Sequence, residues 1–146
     1  MFQGSATLSV DTKGRMTVPA RIRDSLVSLS DDEVVVTAHP HGCLVVYPLA
    51  AWIPFRDKVF ATPALDPRSA GFRRLFIGLA EQQALDSAGR IMLSPALRKH
   101  AKIDKHVLLM GQGDHYEVWS EASWDALQEQ MASQFDVAAP AGWDGF

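Results

Sequence analysis

The chain repeats itself, and that constrains its fold more than any other feature. Asp11-Thr12-Lys13-Gly14-Arg15 returns as Asp86-Ser87-Ala88-Gly89-Arg90. Apolar positions precede each copy: Ala6, Leu8 and Val10 before the first, Ala84 and Leu85 before the second. A short strand-like piece follows each, Met16-Thr17-Val18 and Ile91-Met92-Leu93. Next comes a proline, Pro19 or Pro95, so that Ser94 counts as one extra residue in the second copy. A basic stretch follows, Arg21-Ile22-Arg23 or Arg98-Lys99-His100. Further on, Val34-Val35-Val36 matches Val107-Leu108-Leu109, and Leu44-Val45-Val46-Tyr47 matches Tyr116-Glu117-Val118-Trp119. Five residues beyond Tyr47 and Trp119 stand Trp52 and Trp124. Self-similarity at a fixed spacing signals a repeated supersecondary unit. The unit predicted here is strand, turn, strand, short helix, strand, strand, helix, an α+β fold.

Local chemistry supports each element. Asp-x-x-Gly favours a type I turn with Asp first and Gly fourth. A type I turn closed by a glycine at positive φ is a favoured hairpin connection. Asp11 and Arg15 should therefore face each other across one turn, held open by Gly14, and Asp86 and Arg90 across another at Gly89. Pro95 after Ser94 has the order of first helical residue after N-cap, and Pro19 can open a helix in the same way. The β-branched runs at 34–36 and 44–46 predict buried strands, with turns at His39-Pro40-His41-Gly42 and Gly111-Gln112-Gly113-Asp114. Phe72, Leu75, Phe76 and Leu79 share one helical face, as do Trp124, Leu127, Met131 and Phe135. A less regular helix is expected from Leu49 to Phe60, a link at 61–67, and a frayed end.

Charge alone does not favour nucleic acid, since the net is −3 over 146 residues. Its distribution is uneven. Residues 1–30 carry four Lys/Arg against two Asp, residues 81–106 five against three, and residues 107–146 seven acids with no Lys or Arg. Local field matters more than the total for a docking surface. The single cysteine, Cys43, precludes an internal disulfide and fits a reducing, cytoplasmic setting. No signal peptide or membrane span is expected. His39, His41 and Cys43 alternate, but a structural zinc site wants four ligands, and the turn reading is stronger. No metal, cofactor or catalytic constellation is expected.

The opening Met1-Phe2-x-Gly4, the first Asp11-x-Lys13-Gly14-Arg15-x-x-x-Pro19 and the second Asp86-x-x-Gly89-Arg90 resemble the MraZ family, within the AbrB-like superfamily. The resemblance runs from Met1 to about Trp124. It implies a tandem duplicated AbrB-like swapped-hairpin β-barrel with flanking helices. The division is then a first repeat at 1–60, linker and helix at 61–80, a second repeat at 81–134 and a tail at 135–146. It further implies a nucleoid-associated homo-oligomer, assembled as a closed ring. Such a protein regulates the division and cell-wall gene cluster by binding direct repeats of double-stranded DNA in its own promoter.

On that reading Arg15 and Arg90 contact DNA, since arginine forms bidentate pairs with phosphate or guanine. The alternative is an Asp–Arg pair that only stiffens the turn, and the two coexist if the aspartate orients the arginine. Lys13 adds a cation in the turn, and Ala88 in its place weakens the second copy. Arg21 and Arg23 rank second because two residues apart on a helix they cannot share a face. Arg98, Lys99, Lys102 and Lys105 are expected to be solvated. A competing function is a protein-binding, antidote-like module of the same fold, whose acidic end suits a basic partner.

Overall fold

The computed structural model describes residues 1–30, 32–134 and 140–143. Its elements run β1 (Ser5–Ser9), β2 (Arg15–Thr17), α1 (Ala20–Ser30), β3 (Glu33–Ala38), β4 (Leu44–Pro48), α2 (Leu49–Phe60), α3 (Pro67–Phe76), β5 (Glu81–Ala84), β6 (Arg90–Met92), α4 (Pro95–His100), β7 (His106–Gly111), β8 (Tyr116–Ser120) and α5 (Glu121–Gln134). The order β-β-α-β-β-α thus occurs twice, with α3 between.

Strand partners are exchanged between the halves. A six-stranded antiparallel sheet has the order β1-β7-β8-β4-β3-β5, so each half's first strand pairs with the other half's third. A separate two-stranded ladder joins β2 to β6. Both junctions have a mutual register: Leu44 opposes Val118 and Val46 opposes Tyr116, while Met16 opposes Ile91. The strands nonetheless do not close into the expected barrel, because β1 and β5 remain edges of the larger sheet. Helix starts at Ala20 and Pro95 end β2 and β6 after three residues each. An isolated bridge, Val10 to Met16, and the Asp11 N–H bond to the Arg15 carbonyl (3.0 Å) link the end of the first strand to β2.

The strands alternate between two cores. Val34, Val36, Leu44 and Val46 join Leu8, Val10, Met16, Ile22, Leu26, Ile91, Leu97, Val107, Leu109 and Val118 in one cluster drawn from both halves. Val35, Val45 and Tyr47 point the other way, under Trp52 of α2 and Phe76 of α3. Burial on both faces is why these strands appear as continuous apolar runs. Thr37 is fully buried, and its hydroxyl donates to the carbonyls of Phe76 (2.9 Å) and Leu75 (3.1 Å), closing the end of α3 on the sheet.

Several boundaries differ from expectation. The 72–79 stripe is cut at Phe76, and Leu79 lies beyond α3. Phe72 and Phe76 serve the second core, whereas Leu75 and Leu79 pack against the first. Gly111 ends β7 rather than opening the turn. In the C-terminal stripe, Trp124, Leu127 and Met131 lie on α5, while Phe135 and most of the tail fall outside the described residues. The repeat register also needs correcting at the first helices. Arg23 N donates to the Pro19 carbonyl and Arg98 N to the Ser94 carbonyl, both at 2.9 Å. Pro19 therefore corresponds to Ser94, and Ala20 to Pro95. Ser94 is not an extra residue; the two prolines occupy successive positions at the helix start.

Candidate nucleic-acid interface

The two motif turns are built alike. Asp11 Oδ1 accepts from the N–H of Lys13 (3.0 Å) and of Arg15 (2.9 Å), and Oδ2 accepts from Arg15 Nε (2.7 Å). Asp86 repeats this with Ala88 (2.9 Å), Arg90 (2.9 Å) and Arg90 Nε (2.7 Å). Gly14 and Gly89 each donate back to the aspartate carbonyl, at 3.0 and 2.9 Å. Their φ values of +88° and +73° belong to the region that glycine occupies at least cost. Hydrogen bonds to a carboxylate favour its ionised form. The Arg15 backbone N–H is the largest cause holding the Asp11 carboxyl below the usual carboxylate value, with its side chain and the Lys13 N–H adding to it. Arg90 and Ala88 do the same for Asp86.

The β2–β6 ladder brings both arginines to one surface. Arg15 opposes Met92 and Thr17 opposes Arg90. Between them Met16 and Ile91 turn inward and are buried. The outward face therefore carries Arg15, Thr17, Arg90 and Met92, the last 42% exposed. Arg15 and Arg90 are diagonal neighbours, a relation that spaces Cβ atoms by about 7–8 Å. Each side chain is roughly one-third exposed, at 30% and 31%. Among the described residues, the hydrogen bonds of their guanidinium groups engage Nε only, which leaves the terminal nitrogens of each five-donor fork for another acceptor.

Each turn is gripped by the opposite half. Leu93 N donates to the Gly14 carbonyl (2.8 Å) and Val18 N to the Gly89 carbonyl (3.0 Å). A Cβ on Gly14 would overlap the Leu93 carbonyl and the Arg98 guanidinium; one on Gly89 would overlap Arg23. Arg98 is half-buried and donates from Nε to the Leu93 carbonyl (3.0 Å). Gln83 braces the ladder from outside, accepting from Met92 N (2.7 Å) and donating to its carbonyl (2.8 Å).

The structure thus brings together Asp11, Lys13, Gly14, Arg15, Asp86, Gly89 and Arg90, with Arg23 packed beneath the second turn. Arg21 is exposed on α1, and its charge acts on Tyr116, partly offsetting the burial that raises that phenol's pKa. No hydrogen bond or ion pair among the described residues ties the Arg21 side chain to either turn. Arg98, expected to be solvated, belongs to the site instead. Its signal was in the repeat: it lies as far from Arg23 as Arg90 does from Arg15. Gln83 had no sequence signal, since its counterpart at that spacing is Leu8. Among the described residues, no three of His, Cys, Asp and Glu are grouped to hold a metal.

The MraZ protein family, whose description likens it to antitoxins, matches residues 1–75 and again 76–141. A transcriptional regulator MraZ from Aromatoleum aromaticum is 50% identical over 144 residues, covering 99% of this chain and 97% of the relative. One from Azoarcus sp. strain BH72 is 46% identical over 146 residues, covering 100% and 99%. One from Thiobacillus denitrificans is 45% identical over 146 residues, with the same coverage.

Proposed function

The chain belongs to the MraZ family, and on that premise we propose that it is a sequence-specific DNA-binding transcriptional regulator. The family is one of regulators, not enzymes. The observation carrying the proposal is the β2–β6 ribbon, with two braced arginines on its open face. Two-stranded ribbons fit a major groove. A guanidinium fixed through Nε reaches phosphate or a guanine edge without first losing its rotamer freedom.

Arg15, Lys13 and Arg90 are the primary contacts in this reading, with Arg21 and Arg23 in second rank and the aspartates and glycines shaping the turns. The two family matches and the exchange of strands support a duplicated swapped-hairpin organisation, with repeats at 1–60 and 81–134, a linker and helix at 61–80 and a tail at 135–146. The target is the division and cell-wall gene cluster, through direct repeats in the protein's own promoter, and the protein is cytoplasmic and nucleoid-associated. No helix among the described residues is long and apolar enough to cross a membrane.

So few cations neutralise few phosphates, so one protomer binds weakly. A homo-oligomeric closed ring would engage several DNA repeats at once, and linkage raises apparent affinity by about 10²–10⁴-fold. The test is titration of one-repeat and multi-repeat DNA with wild type and Arg15→Ala, at matched oligomer size and melting temperature. The loss should be greater on multi-repeat DNA. Unchanged affinity in a folded, assembled variant would reduce Arg15 to a brace of its own turn. The acidic stretch 107–146 favours a second reading, a module binding a basic protein. Salt-insensitive absence of DNA binding would turn the case toward it.

A further inference from the structure

We propose that Arg23 and Arg98 are crossed positioning residues: each sets the DNA-contacting arginine of the other half's hairpin. The inference rests on the DNA-binding reading of the ribbon, replaces the second-rank contact given there to Arg23, and assigns these two a role through Arg90 and Arg15 rather than a contact of their own.

The geometry is reciprocal. Arg23 projects from α1, in the first half, and packs where a Cβ on Gly89 of the second half would sit. Arg98 projects from α4, in the second half, and packs against Gly14 of the first. Both occupy the same helical position, each donating its backbone N–H to the residue before the helix. Both are half-buried, whereas Lys13 and Arg21 are exposed. Arg98 Nε is occupied by the Leu93 carbonyl, and Leu93 N is bonded to the Gly14 carbonyl. One chain of contacts thus runs from the α4 guanidinium through the Leu93 peptide to the turn that carries Arg15.

Glycine makes this possible. Without a Cβ the turn backbone lets a flat guanidinium lie directly against it, which orients the turn without another backbone strand. The aspartate fixes each arginine relative to its turn, and the crossed arginine fixes the turn relative to the ribbon. Arg15 and Arg90 are consequently presented at one spacing.

The test is a double-mutant cycle on DNA of the multi-repeat type, with oligomer size and melting temperature checked for each variant. Arg98→Ala should weaken binding by about fivefold, within the usual range for residues that share a network. That loss should vanish in an Arg15→Ala background and persist in an Arg90→Ala background. Arg23→Ala should show the opposite dependence. The slope of log affinity against log salt should be unchanged by Arg98→Ala, whereas loss of a direct phosphate contact lowers it by about one. Additive losses in both backgrounds, or a reduced slope, would overturn the proposal.

Amide hydrogen exchange separates this inference from the reading beneath it. Arg98→Ala should speed exchange at Lys13 and Arg15 and leave Ala88 and Arg90 unchanged; Arg23→Ala should do the reverse. If that crossed pattern appears while Arg15→Ala leaves DNA affinity intact, the positioning stands and the DNA assignment of the hairpin fails. Exchange that rises equally in both turns, or in neither, would refute the crossing itself.

Discussion

Three glycines at positive φ differ in what surrounds them, and replacing each with alanine separates backbone strain from packing across the halves. Gly42, in the β3–β4 turn, has φ +89° and no atom within 4 Å of an added Cβ. Gly42→Ala thus suffers only the left-handed penalty, about 1–2 kcal/mol. Gly14 has nearly the same φ, +88°, but its Cβ would meet the Leu93 carbonyl, a backbone atom, and Arg98. Leu93 is held on both sides, its N–H by the Gly14 carbonyl and its carbonyl by Arg98 Nε, so it cannot swing aside and overpacking of about 1–3 kcal/mol adds to the strain. Gly14→Ala should cost roughly 2–5 kcal/mol in all. At Gly89 the obstruction is Arg23, a flexible side chain, and Gly89→Ala should fall between the other two.

The assay is urea unfolding at fixed protein concentration, reading midpoint and slope. All three variants should keep the wild-type slope, since no change in exposed area is expected. The order of destabilisation should be Gly14→Ala, then Gly89→Ala, then Gly42→Ala. If Gly14→Ala and Gly42→Ala agree within about 0.5 kcal/mol, the motif turn is not clasped by the second half. The reasoning about the interlocked ribbon would then be wrong.

Three further outcomes are expected. Burial, then the charge of His41, holds His39 below its ordinary pKa, with Glu117 opposing and His115 and His100 assisting; its Nδ1 accepts the His41 N–H (3.0 Å). Stability from His39 should therefore be complete above its unfolded pKa and be lost as pH falls through its lower folded one. Melting curves between about pH 8 and pH 5 should show this loss, and His39→Asn should flatten it; an unchanged slope would count against the assignment. Phe76 packs against Phe55 (5.1 Å) and Phe72 (4.5 Å), so Phe76→Ala should cost about 3–5 kcal/mol in urea. The amide shifts of the two motif turns should stay put, since the second core lies on the other side of the sheet from Met16 and Ile91. Cys43 is fully buried and its thiol is pushed up to about 12, so a disulfide reagent should label it only at the rate of unfolding. Rapid labelling of native protein would contradict that burial.

What the sequence discloses depends on whether its physics is local. Asp-x-x-Gly-Arg is legible because the aspartate, both amides and the arginine lie within five residues, and the structure repeats their bonds nearly atom for atom. The valine runs at 34–36 and 44–46 are legible as buried strands because apolar residues on both faces leave little else. Strand partners are not legible. Alternation tells which face a residue takes, not which distant strand lies beside it, and nothing local pairs β1 with β7 or β5 with β3. The expected closed barrel is not what forms: β1 and β5 remain edges of the six-stranded sheet, and β2 and β6 span only three residues each.

The misplacement of Arg98 has a more specific cause. Aligning Pro19 with Pro95 is natural, because proline is the most constrained residue at a helix start. Proline is, however, compatible with both positions used here. Before α1 it supplies the carbonyl that accepts the first helical N–H bonds, which requires no N–H of its own. In α4 it is the first helical residue after the Ser94 cap, where its own N–H would be unpaired anyway. A one-residue error in a helix turns each side chain by about 100°, enough to move Arg98 from a turn of the opposite half into solvent. The buried residues would have settled the register: Val18 and Leu93, then Ile22 and Leu97, are both related by the spacing that separates Gly14 from Gly89. In a duplicated chain the core positions, which must fill one shared interior, hold the register more strictly than the prolines that only start its helices.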